Sequence, residues 1–476
     1  MVLLQGLQPA GLLVATLLPW IAGSAVLRCW LGPVPGTLLL GHGYLLGQLL
    51  VVLLLLAWDA LGLQLAWWPL AATLALLSAA LWGYSWRRHP GHWRPALALA
   101  PADLLWLLPL AWFLWSRGSV LAEELALRPL FAWDAWMNWV PRAVVWFDHG
   151  RLTDFVLPPA WLAAAPGTEV YTLGNWRASD YPPGVPLLLL WQMLGAGTAD
   201  HTLLFLPWLL LPAACALALW GHLRLHGLGR VPAALAVYLL LSMPLLTTHA
   251  VLPGYADLWL GACFMLGAMA LAQWQCSGEW RYAGLTLALA LFCTLLKTPG
   301  LGFALLLVLG VLLYRWHPPA RWLRWGLLCG LLLLGAGLLA GLNPQLVAQL
   351  ADRPALDLPG HLPGLQLQLS PLLPYLGQTF FVDDNWHLLG LLLVAALLAR
   401  LLVCGVASLN SIALLLLTLG AVVLVLIFGF TQYGQSLEQG ITFHRTFLYL
   451  TPLAVFVAFA SLQPLLPRAD AGTEPA

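Results

Sequence analysis

The chain alternates long apolar runs with polar breaks, and the length of the runs decides how it is read. A helix rises about 1.5 Å per residue, so crossing a hydrocarbon layer of about 30 Å takes about 20 apolar residues. Runs near that length lie at 10–31, 37–57, 66–86, 97–116, 202–222, 231–249, 257–275, 283–297, 300–314, 325–342, 387–404, 411–430 and 446–462. The pattern predicts an all-α polytopic membrane protein with about thirteen transmembrane helices. Three of these spans fall in 1–96; 97–342 forms a core with a long outer loop at 117–201. A second outer loop follows at 343–386, then the last spans and a short polar tail at 387–476. The first run, Leu7 to Trp30, lacks a basic start and a small-residue cleavage site, so it is expected to stay as a span.

Composition supports lipid as the solvent. The chain is 61% hydrophobic and 8% charged, whereas a soluble domain carries about 25% charged residues. A net charge of +1 without a basic cluster gives no purchase on nucleic acid. The 27 tryptophans suit a protein with many membrane–water boundaries. Each of the seven cysteines falls in a span or on the cytoplasmic side, and none forms C-x-x-C, so no disulfide framework, zinc or redox site is expected. The phosphate-loop, H-E-x-x-H and dinucleotide fingerprints are absent. Gly326-x-x-x-Gly330 and Gly337-x-x-x-Gly341 share one helix, as a packing face or by chance in a glycine-rich chain.

Charge sets the orientation. Arg28, Arg87, Arg88, Arg94, Arg224, Arg230, Arg281, Arg315, Arg321, Arg324, Arg400 and Arg468 fall on one side, 12 of the 20 basic residues. The acids go the other way: only Asp103, Glu279, Asp470 and Glu474 share that side, leaving 15 of 19 opposite. The basic side is read as cytoplasmic, which puts the chemistry-capable residues outside, in a plasma membrane of bacterial type.

The longest break is the richest in such residues. From Asp134 the sequence runs Asp-Ala-Trp-Met-Asn-Trp-Val-Pro-Arg, and Trp136, Trp139, Ala143 and Trp146 recur on one helical face, with Arg142 beside it. This predicts an interfacial helix on the membrane surface. Asp134 opens it, either as a cap or as a general base for an acceptor hydroxyl or amine. Asp180 and Tyr181 precede Pro182-Pro183 and a short apolar run, predicting a second interfacial helix with Asp180 as cap or site residue. Asp257 follows Gly254-Tyr255-Ala256 at a span entrance, where a charge is costly unless it pairs or works. Lys297, the sole lysine, lies between two short spans; it is a snorkelling anchor or a partner for phosphate. His444 and Arg445 open the last span, and Arg445 is a boundary residue or a second phosphate ligand.

In this order the pieces resemble glycosyltransferases of the GT-C superfamily, family 39 type, which include protein O-mannosyltransferases and bacterial lipid A aminoarabinose transferases. The similarity covers Trp133-Asp134 to Gly150, Asp180 to Pro186, Gly254 to Asp257, Lys297 to Gly300, Asn385-Trp386-His387 and Arg445. It implies a GT-C-like fold, a polyprenyl-phosphate sugar as donor, an inverting displacement, Asp134 as base, and Lys297 with Arg445 on the donor phosphate. Asp180, Tyr181, Asp257, His444 and Arg142 are the other expected substrate contacts. Members often carry two adjacent acids in this loop. Here Ala135 follows Asp134, and the adjacent pair is Glu123-Glu124, which makes either glutamate the alternative base. The competing expectations are a transporter or lipid flippase, or a non-catalytic subunit of a polysaccharide assembly machine.

Overall fold

Helices form at every predicted run, and proline decides where several of them bend. The computed structural model describes residues 7–89, 103–128, 130, 132–315, 320–343, 345 and 368–466. The first four helices are α1 (Pro9–Leu31), α2 (Gly36–Ala60), α3 (Trp67–Arg88) and α4 (Leu104–Leu127). The long loop carries α5 (Val140–His149) and α6 (Pro158–Leu162) and leads into α7 (Gly184–Ala196). Then come α8 (Leu206–Leu225), α9 (Arg230–Ser242), α10 (Pro244–Val251), α11 (Asp257–Ser277), α12 (Arg281–Leu296), α13 (Gly300–Arg315) and α14 (Ala320–Ala340). The last helices are α15 (Leu372–Phe381), α16 (Leu389–Cys404), α17 (Ile412–Phe430), α18 (Ile441–Thr446) and α19 (Thr451–Leu462). The only strands among the described residues pair Asp154–Phe155 with Val170–Tyr171. Among the described residues six helices are long and apolar enough to cross a membrane, or up to eight if each of two bent pairs counts as one span. The chain is an all-α membrane protein.

Several expectations change. The run at 231–249 is two helices, α9 and α10, bent by 58°, because Pro244 has no N–H to give and pushes Met243 out of the helical region. The last run is likewise bent by 49°, between Tyr449 and Thr451, next to Pro452. Helix α4 continues to Leu127, so Glu123 and Glu124 sit on a helix and not in a loop. The apolar run after Pro183 is not interfacial: all 13 residues of α7 are buried, as expected of a helix that is apolar all round. The two glycine pairs of α14 are a packing face, since Gly330 and Gly337 lie against Thr418 and Val425 of α17. The centre of the 343–386 loop, the polar tail from residue 467, Arg94, Arg353 and Arg468 lie outside the described residues.

The first three helices are built into the core. Helix α1 packs on α2, α3 and α7, and α2 packs on α8. Where α1 crosses α7, a β-carbon on Gly11 would lie 2.0 Å from the Gly195 carbonyl oxygen, so only glycine fits. Trp191 Nε1 of α7 donates to Ala15 O of α1 at 2.8 Å. His42 of α2 and His222 of α8, both buried, join their Nε2 atoms in a 2.8 Å hydrogen bond. At the loop end, Asp59 Oδ1 accepts from Leu152 N at 2.9 Å and Leu65 N donates to Gly150 O at 2.7 Å. The N-terminal helices therefore hold both α7 and the loop that leads to it. At the opposite end Arg230 pairs with Asp103, and Arg281 with Glu279.

Candidate functional site

Four chain segments bring their ends together under the long loop, and each brings one charge. Asp134 comes from the loop, Asp257 from the first turn of α11, Lys297 from the α12–α13 junction and Arg445 from α18. All four are positions where an apolar run stops, so a charge placed there reaches the edge of the bundle without crossing its middle.

Asp134 stands just before a π-helical turn, Ala135–Trp139, that leads into α5, and its side chain makes no capping hydrogen bond. A π turn holds more residues than an α turn and shifts the helical phase. That shift removes Trp136, 49% exposed, from the face on which Trp139, Ala143 and Trp146 are buried. Gly254 adopts a φ of +95°, and a β-carbon there would lie 2.4 Å from Ala135 Cβ. The Gly254-to-Asp257 turn thus lies directly on Ala135, which requires a small residue at 135 and sets Asp134 beside Asp257.

Asp257 is 1% exposed and fully engaged. Its Oδ1 accepts from Lys297 Nζ at 2.9 Å and from the Tyr449 hydroxyl at 2.5 Å, and its Oδ2 from Arg445 Nη2 at 2.6 Å. Asp134 uses one oxygen only. Its Oδ2 accepts from Arg445 Nη2 at 2.5 Å and faces Lys297 Nζ at 3.8 Å. Oδ1 makes no hydrogen bond among the described residues. Arg445 also lies flat over Tyr255, its guanidinium carbon 4.1 Å from the ring centroid. Lys297 is held in extended backbone at the end of α12, where Gly300 N donates to its carbonyl at 2.8 Å. Two carboxylates and two cations sum to zero charge, as burial of ions demands.

The other predicted residues divide. The Tyr181 phenol borders the cluster; burial, and then the Asp134 charge, raise it above the ordinary tyrosine value. Arg142 does not enter the cluster. It is buried beneath the loop, with Nη1 on Tyr181 O at 2.7 Å and its guanidinium carbon 5.1 Å from the Trp146 ring centroid. Burial lowers the Arg142 guanidinium to about 10, so it remains a cation at neutral pH and ties α5 to the Tyr181 segment. His444 turns to a second small group, with Nε2 3.6 Å from Asp383 Oδ2 and Nδ1 3.3 Å from Asn385 Nδ2. Asp180 is exposed and outside the cluster; the cap position of α7 belongs to Pro183. Glu123 is exposed and Glu124 pairs with Arg128 one turn along α4.

Sequence reasoning missed Tyr449 and His249. Tyr449 lies in an apolar run, Phe447-Leu448-Tyr449, where nothing separates a working hydroxyl from a buried one. His249, 3% exposed, packs its ring 5.1 Å from that of Tyr255, and its Nε2 has no partner among the described residues. No group of three or more His, Cys, Asp and Glu is placed to hold a metal among the described residues. The chain matches no protein-family model, no curated protein and no solved structure. Fold and site define an all-α membrane protein with a buried, charge-balanced cluster at the loop end of its bundle.

Proposed function

We propose that the chain is a membrane glycosyltransferase that moves a sugar from a polyprenyl-phosphate donor to an extracytoplasmic acceptor, a hydroxyl or amine on a lipid, glycan or protein. In this reading the shorter apolar helices also cross, giving about thirteen spans in a plasma membrane of bacterial type, with the basic ends cytoplasmic. One observation carries the proposal: Asp134 shares a single oxygen with Arg445 and Lys297, at 2.5 and 3.8 Å. A base and the two cations that suit a phosphate therefore meet at one point, at the mouth of the bundle.

The chemistry balances without a nucleotide. The donor phosphate takes Lys297 and Arg445 as counterions and loosens their hold on Asp134. The freed carboxylate accepts the acceptor's proton as the acceptor oxygen or nitrogen bonds to the anomeric carbon. The bond from that carbon to the phosphate oxygen breaks on the opposite face, and its electron pair leaves with the lipid phosphate, which the two cations stabilise. The anomeric configuration inverts. Asp257 and Tyr449 touch no substrate in this scheme; they hold the cations in place.

The test supplies purified protein with polyprenyl-phosphate sugars labelled in the sugar and follows release of unglycosylated lipid phosphate together with labelled acceptor. The two bent spans favour one rival, a flippase, because broken helices are common in transporters. A flippase would move the labelled donor between leaflets with its sugar–phosphate bond intact.

A further inference from the structure

The bundle holds a second polar site at its other end, away from Asp134. Helix α16 starts beside the His387 turn and runs to Cys404, and α19 starts after Arg445 and runs to Leu462, so Arg400 and Ser461 lie at the far ends of both. Between them and the start of α17 is a small, partly open cavity lined by the polar side chains of Arg400, Ser408, Ser411 and Ser461 together with the apolar Leu414 and Phe456.

The polar side is built and only half used. Arg400 Nε donates to Ser408 O and Nη1 to Ala460 O, each at 3.0 Å, which fixes the guanidinium plane. No carboxylate pairs with it among the described residues. Ser411 accepts from Leu414 N at 3.4 Å as the cap of α17, and its own O–H has no acceptor among the described residues. Ser461 is 5% exposed and makes no hydrogen bond with its side chain among the described residues, although a helical serine readily bonds back to the preceding turn. A cation without a counter-ion, two free hydroxyls and the start of a 19-residue helix all favour an anion.

We propose that this cavity binds the phosphate headgroup of an anionic phospholipid, with Arg400 and Ser461 as its main donors. The apolar side chains of Leu414 and Phe456 beside the donors fit an amphiphile better than a free ion, because the guest's apolar part can rest against them. The orientation from Lys and Arg makes this the cytoplasmic leaflet, whose surface is negative. The site would anchor α16, α17 and α19 to that leaflet.

The experiment is native mass spectrometry of the full chain in detergent, titrated with short-chain phosphatidylglycerol, phosphatidylcholine or inorganic phosphate. The parent should hold one phosphatidylglycerol more tightly than phosphatidylcholine and show no inorganic phosphate adduct. Losing a charged hydrogen bond of about 1.5–3 kcal/mol predicts that Arg400→Ala weakens that adduct by about tenfold or more. Ser461→Ala, which leaves the arginine's structural bonds intact, should weaken it by a smaller factor. Arg88→Ala, a basic change on the same side outside the cavity, should leave it unchanged. Equal retention by Arg400→Ala and Ser461→Ala, or equal loss in Arg88→Ala, overturns the site. Inorganic phosphate that competes the lipid away at similar concentration makes it a free-anion site and overturns the lipid assignment.

Discussion

Asp134→Asn should slow transfer by orders of magnitude and at the same time bind lipid phosphate more tightly. In the free protein Asp134 Oδ2 sits 2.5 Å from Arg445 Nη2 and 3.8 Å from Lys297 Nζ. At an effective dielectric of about 20 those two contacts amount to roughly 11 kcal/mol of gross attraction. Most of it is offset by the desolvation of the groups concerned. The net value of a hydrogen bond to a charged group is about 1.5–3 kcal/mol. A donor phosphate must displace that contact to reach both cations. Asparagine keeps the shape and can still accept one hydrogen bond, but it carries no charge, so the cluster changes from neutral to a net single positive charge. Removing the competitor therefore predicts a gain of about 10- to 100-fold in affinity for a short polyprenyl phosphate, at about 1.4 kcal/mol per tenfold. Isothermal titration, or the fluorescence of Trp133 and Trp136 beside the site, would read it. The gain should shrink as salt rises, because the added attraction is electrostatic. Turnover should fall by about 10²–10⁴-fold. Weaker or unchanged phosphate binding in Asp134→Asn would refute the competition, and near-parent turnover would remove Asp134 as base.

The remaining predictions follow from the same geometry. Asp257→Asn should destabilise the protein by about 3–5 kcal/mol, because two buried cations lose a shared partner; thermal unfolding should show a much larger fall than for Asp134→Asn. Gly254→Ala should cost about 1–3 kcal/mol in strain and lower turnover, since the new methyl must push Ala135, and Asp134 with it, out of register. Glu123→Gln and Glu124→Gln should stay within about 0.5 kcal/mol of the parent and keep full transfer; a dead variant would move the base to α4. The Tyr181 phenol titrates above the usual value of about 10 because burial disfavours its charged form. Above that ordinary value the unfolded chain releases its proton first, so stability falls as pH rises, and Tyr181→Phe should make that alkaline fall shallower in melts over the same range.

The four charges of the cluster were legible because each interrupts or borders an apolar run, and a charge at such a place has to be paired or used. Their pairing was not legible. Nothing in the sequence says that Asp257 would take both cations and leave Asp134 with one free oxygen, since that depends on how the turn at Gly254 rests on Ala135. Asp134 and Asp180 each read as a cap or as a site residue, and the structure separates them: Asp134 reaches Arg445, whereas Asp180 is exposed and outside the cluster. Neither the bends next to Pro244 and Pro452 nor the π turn at 135–139 shows in the spacing of apolar residues, which therefore sets two single runs and places Trp136 on a face it does not share. The burial of α7 was hidden for another reason: an apolar segment too short to span looks the same whether it lies on lipid or inside a bundle. Arg142 looked like a substrate contact because it sits near the acids in sequence, yet its guanidinium turns inward to a carbonyl and a tryptophan.

The contacts that fix α1 and α2 in the core also impose an order on biosynthesis. Thr16 meets Gln192 across 176 residues and His42 meets His222 across 180. At about 5–20 residues per second, the ribosome needs roughly 9–36 seconds to deliver those partners after the first helices emerge. Throughout that interval the Gly11 crossing and the His42 ring face lipid or the insertion machinery with nothing to bind. The nascent chain therefore has to wait with its first three helices parked and unlatched. A chain that ends before α7 lacks the partners of Gly11 and Thr16, while one that includes α8 supplies the partner of His42 as well.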